Sequence, residues 1–325
     1  MTGRYDVVIP TIGRGSLHDL LADLGADDDP GRGQVVVVDD RARAPRGALS
    51  LPSSVRVMTG GGKGPAHARN IGWRATDAPW TVFLDDDVRL GSGWSRQLRC
   101  DLAVPPEVAG VQARIRVPLP AHRRPTDWER NVAGLQGARW VTADMAYRRA
   151  ALVQIGGFDP AFPRAFREDA DLALRLLVAG WRLVGGRRTI VHPVREADRW
   201  VSVRLQRGNR DDALMRARHG RDWRRRAGAP GGGRMALHAA TVVAAAGASC
   251  LMPLGARRAG RLCALAWAAL SAQFAWRRIA PGPRTAAEIA TMLETSLLIP
   301  PAAAYQRLAG EVGVRMGAAR REEGW

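Results

Sequence analysis

The sequence predicts an α/β fold: a doubly wound, mostly parallel sheet followed by a C-terminal α-helical extension. Three observations carry that expectation. Short apolar, β-branched runs alternate with helically spaced segments through the first half, the pattern of a largely parallel sheet. Several of those runs end on polar or acidic residues, the sheet edge at which open α/β folds bind ligands. Beyond about residue 234 the composition changes to long uncharged, alanine-rich stretches.

The elements follow in order. Val7–Ile9 reads as the first strand, and Leu17, Leu20, Leu21 and Leu24 mark a helix over 16–24. Gln34–Val38 is a second strand ending at Asp39-Asp40. Residues 54–58 form a third strand, before Gly60-Gly61-Gly62. A helix is expected over 65–74, opened by Pro65, then a fourth strand over 81–84. Asp85-Asp86-Asp87 follows that strand directly, and adjacent carboxylates repel unless a cation or donors compensate. Residues 139–147 read as another strand, Gly156-Gly157-Phe158-Asp159 as a turn, and 168–177 as a helix with acids in its first turn. Three regions of sequence emerge: 1–228 as an α/β domain, 229–234 as a Gly/Pro linker and 235–325 as a helical, apolar and basic region. Thr285-Ala286-Ala287-Glu288 is a capping-box signal for a last helix.

The chain has 325 residues and a net charge of +18, with Lys63 the single lysine among 49 basic residues. Such a surplus admits nucleic acid, anionic lipid or phosphorylated substrates as partners. No nucleic-acid module appears, and the arginines are not interleaved with a stacking aromatic platform, so nucleic acid is not expected. Cys100, Cys250 and Cys263 lack metal-site spacing and are odd in number, which fits a reducing compartment. With a strand signal beginning at Tyr5 and no basic leader before an apolar run, no secretory leader is expected. Residues 235–256 and 262–276 carry no formal charge and are flanked by arginines, which predicts contact with an anionic membrane surface. Spanning and plain soluble packing remain alternatives.

Five stretches taken together, in order over residues 5–180, resemble glycosyltransferase family 2. They are Val7-Val8-Ile9-Pro10-Thr11, Val38-Asp39-Asp40, Gly64 to Gly72, Phe83-Leu84-Asp85-Asp86-Asp87, and Gly156-Gly157-Phe158-Asp159 with Arg167 to Leu172. The resemblance implies the GT-A nucleotide-sugar fold and an inverting, single-displacement transfer of one sugar from a nucleotide-diphosphate donor to an acceptor hydroxyl. It implies Mg²⁺ or Mn²⁺ held by Asp87, with Asp85 as a further metal ligand and Asp85 and Asp86 contributing ribose or supporting bonds. His192, after the strand signal Ile190-Val191, reads either as a late metal or phosphate contact or as a structural histidine. Pro10, Thr11, Asp39 and Asp40 would meet the nucleoside. Lys63 and Arg69 flank a glycine-rich turn entering a helix, a setting that suits a diphosphate. Asp169 is the expected general base, with Glu168 beside it, and Asp144 the polar residue presented to donor sugar or acceptor. Gln206-Arg207-Gly208 departs from the Gln-x-x-Arg-Trp pattern of processive members, which argues for transfer of one sugar. The expected acceptor is a glycan or lipid-linked intermediate of the cell envelope, and the expected location is the cytoplasmic face of the membrane. A sugar-phosphate nucleotidyltransferase is the competing enzyme class. Thr11-Ile12-Gly13-Arg14-Gly15 fits its opening signature poorly, and the Glu168-Asp169 helix has no role there.

Overall fold

The computed structural model describes residues 3–42, 49–229 and 231–322. In chain order the elements are β1 (Tyr5–Thr11), α1 (Ser16–Ala26), β2 (Arg32–Asp39), β3 (Val55–Thr59), α2 (Pro65–Arg74), β4 (Trp80–Leu84), β5 (Arg89–Leu90), α3 (Trp94–Leu102), β6 (Val108–Arg116), α4 (Asp127–Ala133), β7 (Asp144–Arg148), α5 (Arg149–Ile155), α6 (Glu168–Val178) and β8 (Arg182–Val191). The helical remainder holds α7 (Val201–Arg204), α8 (Asn209–His219), α9 (Trp223–Arg226), α10 (Gly233–Leu251), α11 (Arg257–Ile279) and α12 (Ala286–Glu322).

The chain divides into two compact units. The first takes 1–118 and 133–194; the second takes 119–132 and 195–325. This division differs from the boundary expected near 228, and the reason is packing rather than composition. Gly310 of α12 lies against α8: a Cβ there would sit 2.8 Å from Arg210 Cα and 3.0 Å from Ala213 Cβ. The arginine-rich helices before residue 229 therefore belong with the C-terminal helices. Of the expected linker, Pro230 lies outside the described residues, and Gly233 already opens α10.

The first unit is built on an eight-stranded sheet in the order β3-β2-β1-β4-β7-β6-β8-β5. Strands β3, β2, β1 and β4 run parallel, and β7 is antiparallel to both β4 and β6. Strand β6 runs parallel to β8, whose edge is covered by the antiparallel two-residue β5. Strand β4 is central, with every residue buried, which is why it reads as a continuous apolar run. Around it Val8, Val36, Phe83, Met145, Tyr147, Leu172 and Leu176 form the core. Phe158 meets Phe83 edge to face at a centroid distance of 5.1 Å. Helix α2 approaches β1 closely because Gly72 faces Val8; a Cβ there would sit 2.2 Å from Val8 Cγ1.

The strand expected over 139–147 begins only at Asp144, since Trp140 takes φ 66° and interrupts an extended run. Asp144 itself corrects an expectation. It is 0% exposed, accepts Trp94 Nε1 at 2.7 Å, and pairs with Arg188 Nη2 at 2.7 Å. Arg188 also reaches Asp101 Oδ2 at 3.0 Å and the Val111 carbonyl at 2.9 Å. With its carboxylate enclosed and satisfied, Asp144 fastens β7 to β8 and α3 and presents nothing to a sugar.

In the second unit Arg278 is buried and donates to Asp127 Oδ2 at 2.8 Å, Thr295 Oγ1 at 2.7 Å and Ser296 Oγ at 3.0 Å. The capping box is half formed. Thr285 Oγ1 accepts the Glu288 N–H at 3.3 Å, whereas Glu288 Oε1 accepts the Asp127 N–H at 2.8 Å.

Removing Arg188 strands two buried carboxylates, so Arg188→Ala is expected to destabilise the fold by about 3–5 kcal/mol. Urea denaturation measures this, and a loss below about 1 kcal/mol would contradict the role given to the network.

Candidate active site

The acids at the ends of β2 and β4 lie together, beside the end of β1 at Thr11, because parallel strands deliver their C-terminal ends to one sheet edge. The Asp85 N–H donates to the Ala143 carbonyl at 3.2 Å, so the triplet leaves β4 under the restraint of the chain entering β7. From there the three aspartates part. Asp86 turns inward: it accepts Thr11 Oγ1 at 2.6 Å and pairs with Arg14. Asp86 and Thr11 thus tie β4 to β1 as a buried strut rather than an open contact for ribose. Asp87 and Asp85 gather with His192 from the end of β8, and one ligand atom from each lies within 4.8 Å of the others.

This group fits a hard divalent cation, since two carboxylates and an imidazole are an acceptable donor set for Mg²⁺ or Mn²⁺. His192 Nδ1 lies 3.2 Å from the Pro193 carbonyl, and its Nε2 lies 3.6 Å from Asp87 Oδ1. A proton on Nδ1, donated to that carbonyl, leaves the Nε2 lone pair directed at the carboxylate, the tautomer a metal ligand requires. Asp85 is 30% exposed, so the cluster is open on one side.

Behind the cluster stands Arg69. Its Nη2 pairs with Asp85 Oδ1 and its Nη1 with Glu168 Oε1, each at 2.8 Å. The guanidinium is 2% exposed, with its carbon 5.5 Å from the centroid of the Phe158 ring. Arg69 therefore bridges two carboxylates inside the protein and is not placed to grip a diphosphate, as its sequence position had implied. Lys63 is exposed, at the turn that enters α2.

That turn is clamped by Asp40. Its carboxylate accepts the N–H of Lys63 at 3.0 Å and of Gly64 at 2.8 Å. Gly64 takes φ 94°, and a Cβ would sit 2.2 Å from the Pro163 carbonyl oxygen, so glycine is required there. Asp40 is thus a turn-forming residue. Asp39 is gripped by Arg41 through Nε at 2.8 Å and Nη2, which holds its carboxyl below the usual range. Pro10 lies half-buried on β1, paired in register with Val38.

Glu168 and Asp169 open α6, directly after Arg167, whose φ of 77° is unusual for a residue with a side chain. Burial, then the neighbouring Asp169 charge, pushes Glu168 up to about 8 despite its bond to Arg69. Burial likewise raises Asp169. Glu168 is buried and Asp169 half-buried, so Asp169 is the member of the pair that a ligand can meet. Arg69 Nε, Glu168 Oε2 and the Tyr147 hydroxyl are buried polar atoms without a hydrogen-bond partner among the described residues. Sequence reading did not single out Tyr147, Arg14, Arg41 or Arg188. Arginine is so common in this chain that no one of them stands out by type.

Glu168 binds a proton more tightly folded than unfolded, from an ordinary value of 4.5 to about 8. Its contribution to stability is present at low pH and lost as pH rises through that window. Glu168→Gln is expected to flatten the fall in stability between about pH 5 and 8, measured by urea midpoints across that range. An unchanged slope would contradict the assignment.

Comparison with known proteins adds three findings. Residues 6–156 match the model of glycosyl transferase family 2. The pre-mycofactocin glycosyltransferase of Mycobacterium tuberculosis (strain CDC 1551 / Oshkosh) is 31% identical over 170 residues, which covers 46% of this chain and 35% of that protein. The chain therefore spans about a third of the length of that curated relative. Among solved structures, the mannosyltransferase PcManGT from Pyrobaculum calidifontis, in complex with GDP-Man and Mn²⁺, superposes with a TM-score of 0.52 at 18% identity. That match covers 94% of this chain and 87% of the other. Glucosyl-3-phosphoglycerate synthase from Mycobacterium tuberculosis gives a TM-score of 0.47 at 16% identity, covering 71% and 81%. Residues 6–156 thus match a family 2 glycosyltransferase domain in sequence, and the chain shares its fold with the Pyrobaculum mannosyltransferase.

Proposed function

We propose that the protein transfers one sugar from a nucleotide-diphosphate donor to an acceptor hydroxyl, with inversion at the anomeric carbon. The observation that carries this reading is the placement of Asp85, Asp87 and His192 within 4.8 Å of one another, linked through Arg69 to the Glu168-Asp169 pair. A cation-binding group and a proton-accepting group, joined by one buried guanidinium, are what a direct displacement needs. The GDP-Man and Mn²⁺ bound by the Pyrobaculum mannosyltransferase support the donor class and the cation.

In this reading Asp87, Asp85 and His192 hold Mg²⁺ or Mn²⁺. The bound ion supplies Lewis-acid stabilisation of the charge on the departing nucleoside diphosphate. Asp169 takes the proton from the acceptor hydroxyl as its oxygen attacks the anomeric carbon. Burial raises its proton affinity toward working pH, which suits a base. Arg69 keeps Glu168 and Asp85 oriented and balances their charge while the reaction proceeds. Exposed Lys63 remains the candidate side chain for the diphosphate.

The acceptor in this reading is a glycan or lipid-linked envelope intermediate, and the protein works at the cytoplasmic face of the membrane. Among the described residues one helix, Gly233–Leu251, is long and apolar enough to cross a bilayer, with a mean hydropathy of 1.3. Competition from a nucleotidyltransferase has no support from the Glu168-Asp169 pair, which would have no task in that chemistry.

Asp169→Asn is expected to keep metal-dependent donor binding and to slow transfer by about 10²–10⁴-fold. Asp87→Ala is expected to abolish metal-dependent donor binding altogether. Both are read by isothermal titration with GDP-, UDP- and dTDP-sugars with and without Mn²⁺, alongside transfer assays. Full transfer in Asp169→Asn would refute the base, and unchanged Mn²⁺ dependence in Asp87→Ala would refute the cation site.

A further inference from the structure

The second unit exposes an apolar surface with a distinct charge pattern. On α11, Leu262, Leu265, Ala269, Ala272 and Trp276 recur at intervals of three and four residues, the spacing of one helix face. That face points to solvent: Leu262 is 68% exposed, Leu265 67% and Trp276 61%. The opposite face, with Gly260, Ser271, Ala275 and Arg278, is the buried one. Helix α11 thus presents its apolar residues outward, the reverse of a soluble amphipathic helix. No charged residue occurs between 262 and 276. Arginines bound this stretch at both ends, Arg257, Arg258 and Arg261 before it and Arg277 after it. None of these four is paired with a carboxylate among the described residues. Leu254, in the turn before α11, is exposed too.

We propose that this face of α11 is a docking surface for an anionic lipid bilayer and lies in the plane of the membrane interface. The inference rests on the membrane-side reading given above and names the surface that makes the contact. Two arguments select the occupant and the orientation. A second copy laid on this face, parallel or antiparallel, would set arginine against arginine at both ends. A layer of anionic headgroups satisfies both ends while the acyl boundary receives the leucines and Trp276. The uncharged stretch of α11 covers about 22 Å at 1.5 Å per residue, short of the roughly 30 Å a crossing requires. A helix lying flat meets headgroups at both ends without that length, and Trp276 beside Arg277 sits where aromatic rings favour the interface.

The test is vesicle flotation of the full chain with phosphatidylcholine alone and with phosphatidylcholine mixed with phosphatidylglycerol. The wild-type protein is expected to float with the anionic vesicles and to be released by salt. Leu262→Glu with Leu265→Glu is expected to weaken flotation more than tenfold, since two charges would enter the acyl boundary. Arg257→Gln with Arg258→Gln and Arg261→Gln is expected to weaken it about fivefold per arginine. All variants should keep the wild-type thermal shift with donor nucleotide and Mn²⁺, which shows that they fold and separates this inference from the catalytic one. Flotation that follows these substitutions upholds the surface even if no donor is ever found to bind. Flotation unchanged by both sets of substitutions would overturn it. So would a wild-type dimer in sedimentation that the Leu262/Leu265 variant converts to monomer without vesicle binding.

Discussion

One buried guanidinium sets the terms for the candidate site. Arg69 sits between Asp85 at the end of β4 and Glu168 at the start of α6, residues 83 positions apart in the chain and bridged by it. Desolvating an unpaired carboxylate costs several kcal/mol, so Glu168 could not be held at its depth as an anion without a cation beside it, whereas Asp85 remains 30% exposed. Arg69 answers both with a single side chain, and its rigid fork fixes the distance between them. The compensation is incomplete: Glu168 still rises to about 8, and one oxygen of that carboxylate lacks a partner among the described residues. A site kept slightly short of positive charge is one that a divalent cation completes.

The same economy runs through the neighbouring acids. Asp86 is fastened by Thr11 and Arg14, Asp39 by Arg41, and Asp40 by two backbone N–H groups of the turn that enters α2. Each is an acid at a strand end, yet each is spent on building the edge of the sheet. That leaves Asp85 and Asp87 facing His192. The division of labour among chemically identical residues comes from which basic neighbour the fold brings to each.

Much of this was legible in the sequence, and the boundary of legibility has physical causes. Strand β4, helix α2 and the acids opening α6 announce themselves because burial on both faces, a proline at the first turn and a charged first turn are local signals. The meeting of His192 with Asp87 was expected only as a late contact, since it depends on β8 lying beside β5 across a long stretch of chain. The structural duty of Asp144 was not legible at all. It requires Arg188, one arginine among dozens, and the indole of Trp94 to converge on it. The division into compact units differs from the composition boundary for a similar reason. Composition changes near residue 235, whereas the close approach of Gly310 to α8 draws the preceding arginine-rich helices into the second unit.

The central claim is that Asp85, Asp87 and His192 form the donor's cation site. Anomalous diffraction from crystals grown with Mn²⁺ and a nucleoside diphosphate tests it most directly. The account predicts one strong manganese peak within bonding reach of Asp87 and His192, beside Asp85 and contacting the diphosphate. A diphosphate bound with manganese elsewhere, or with no manganese at these three residues, would contradict it.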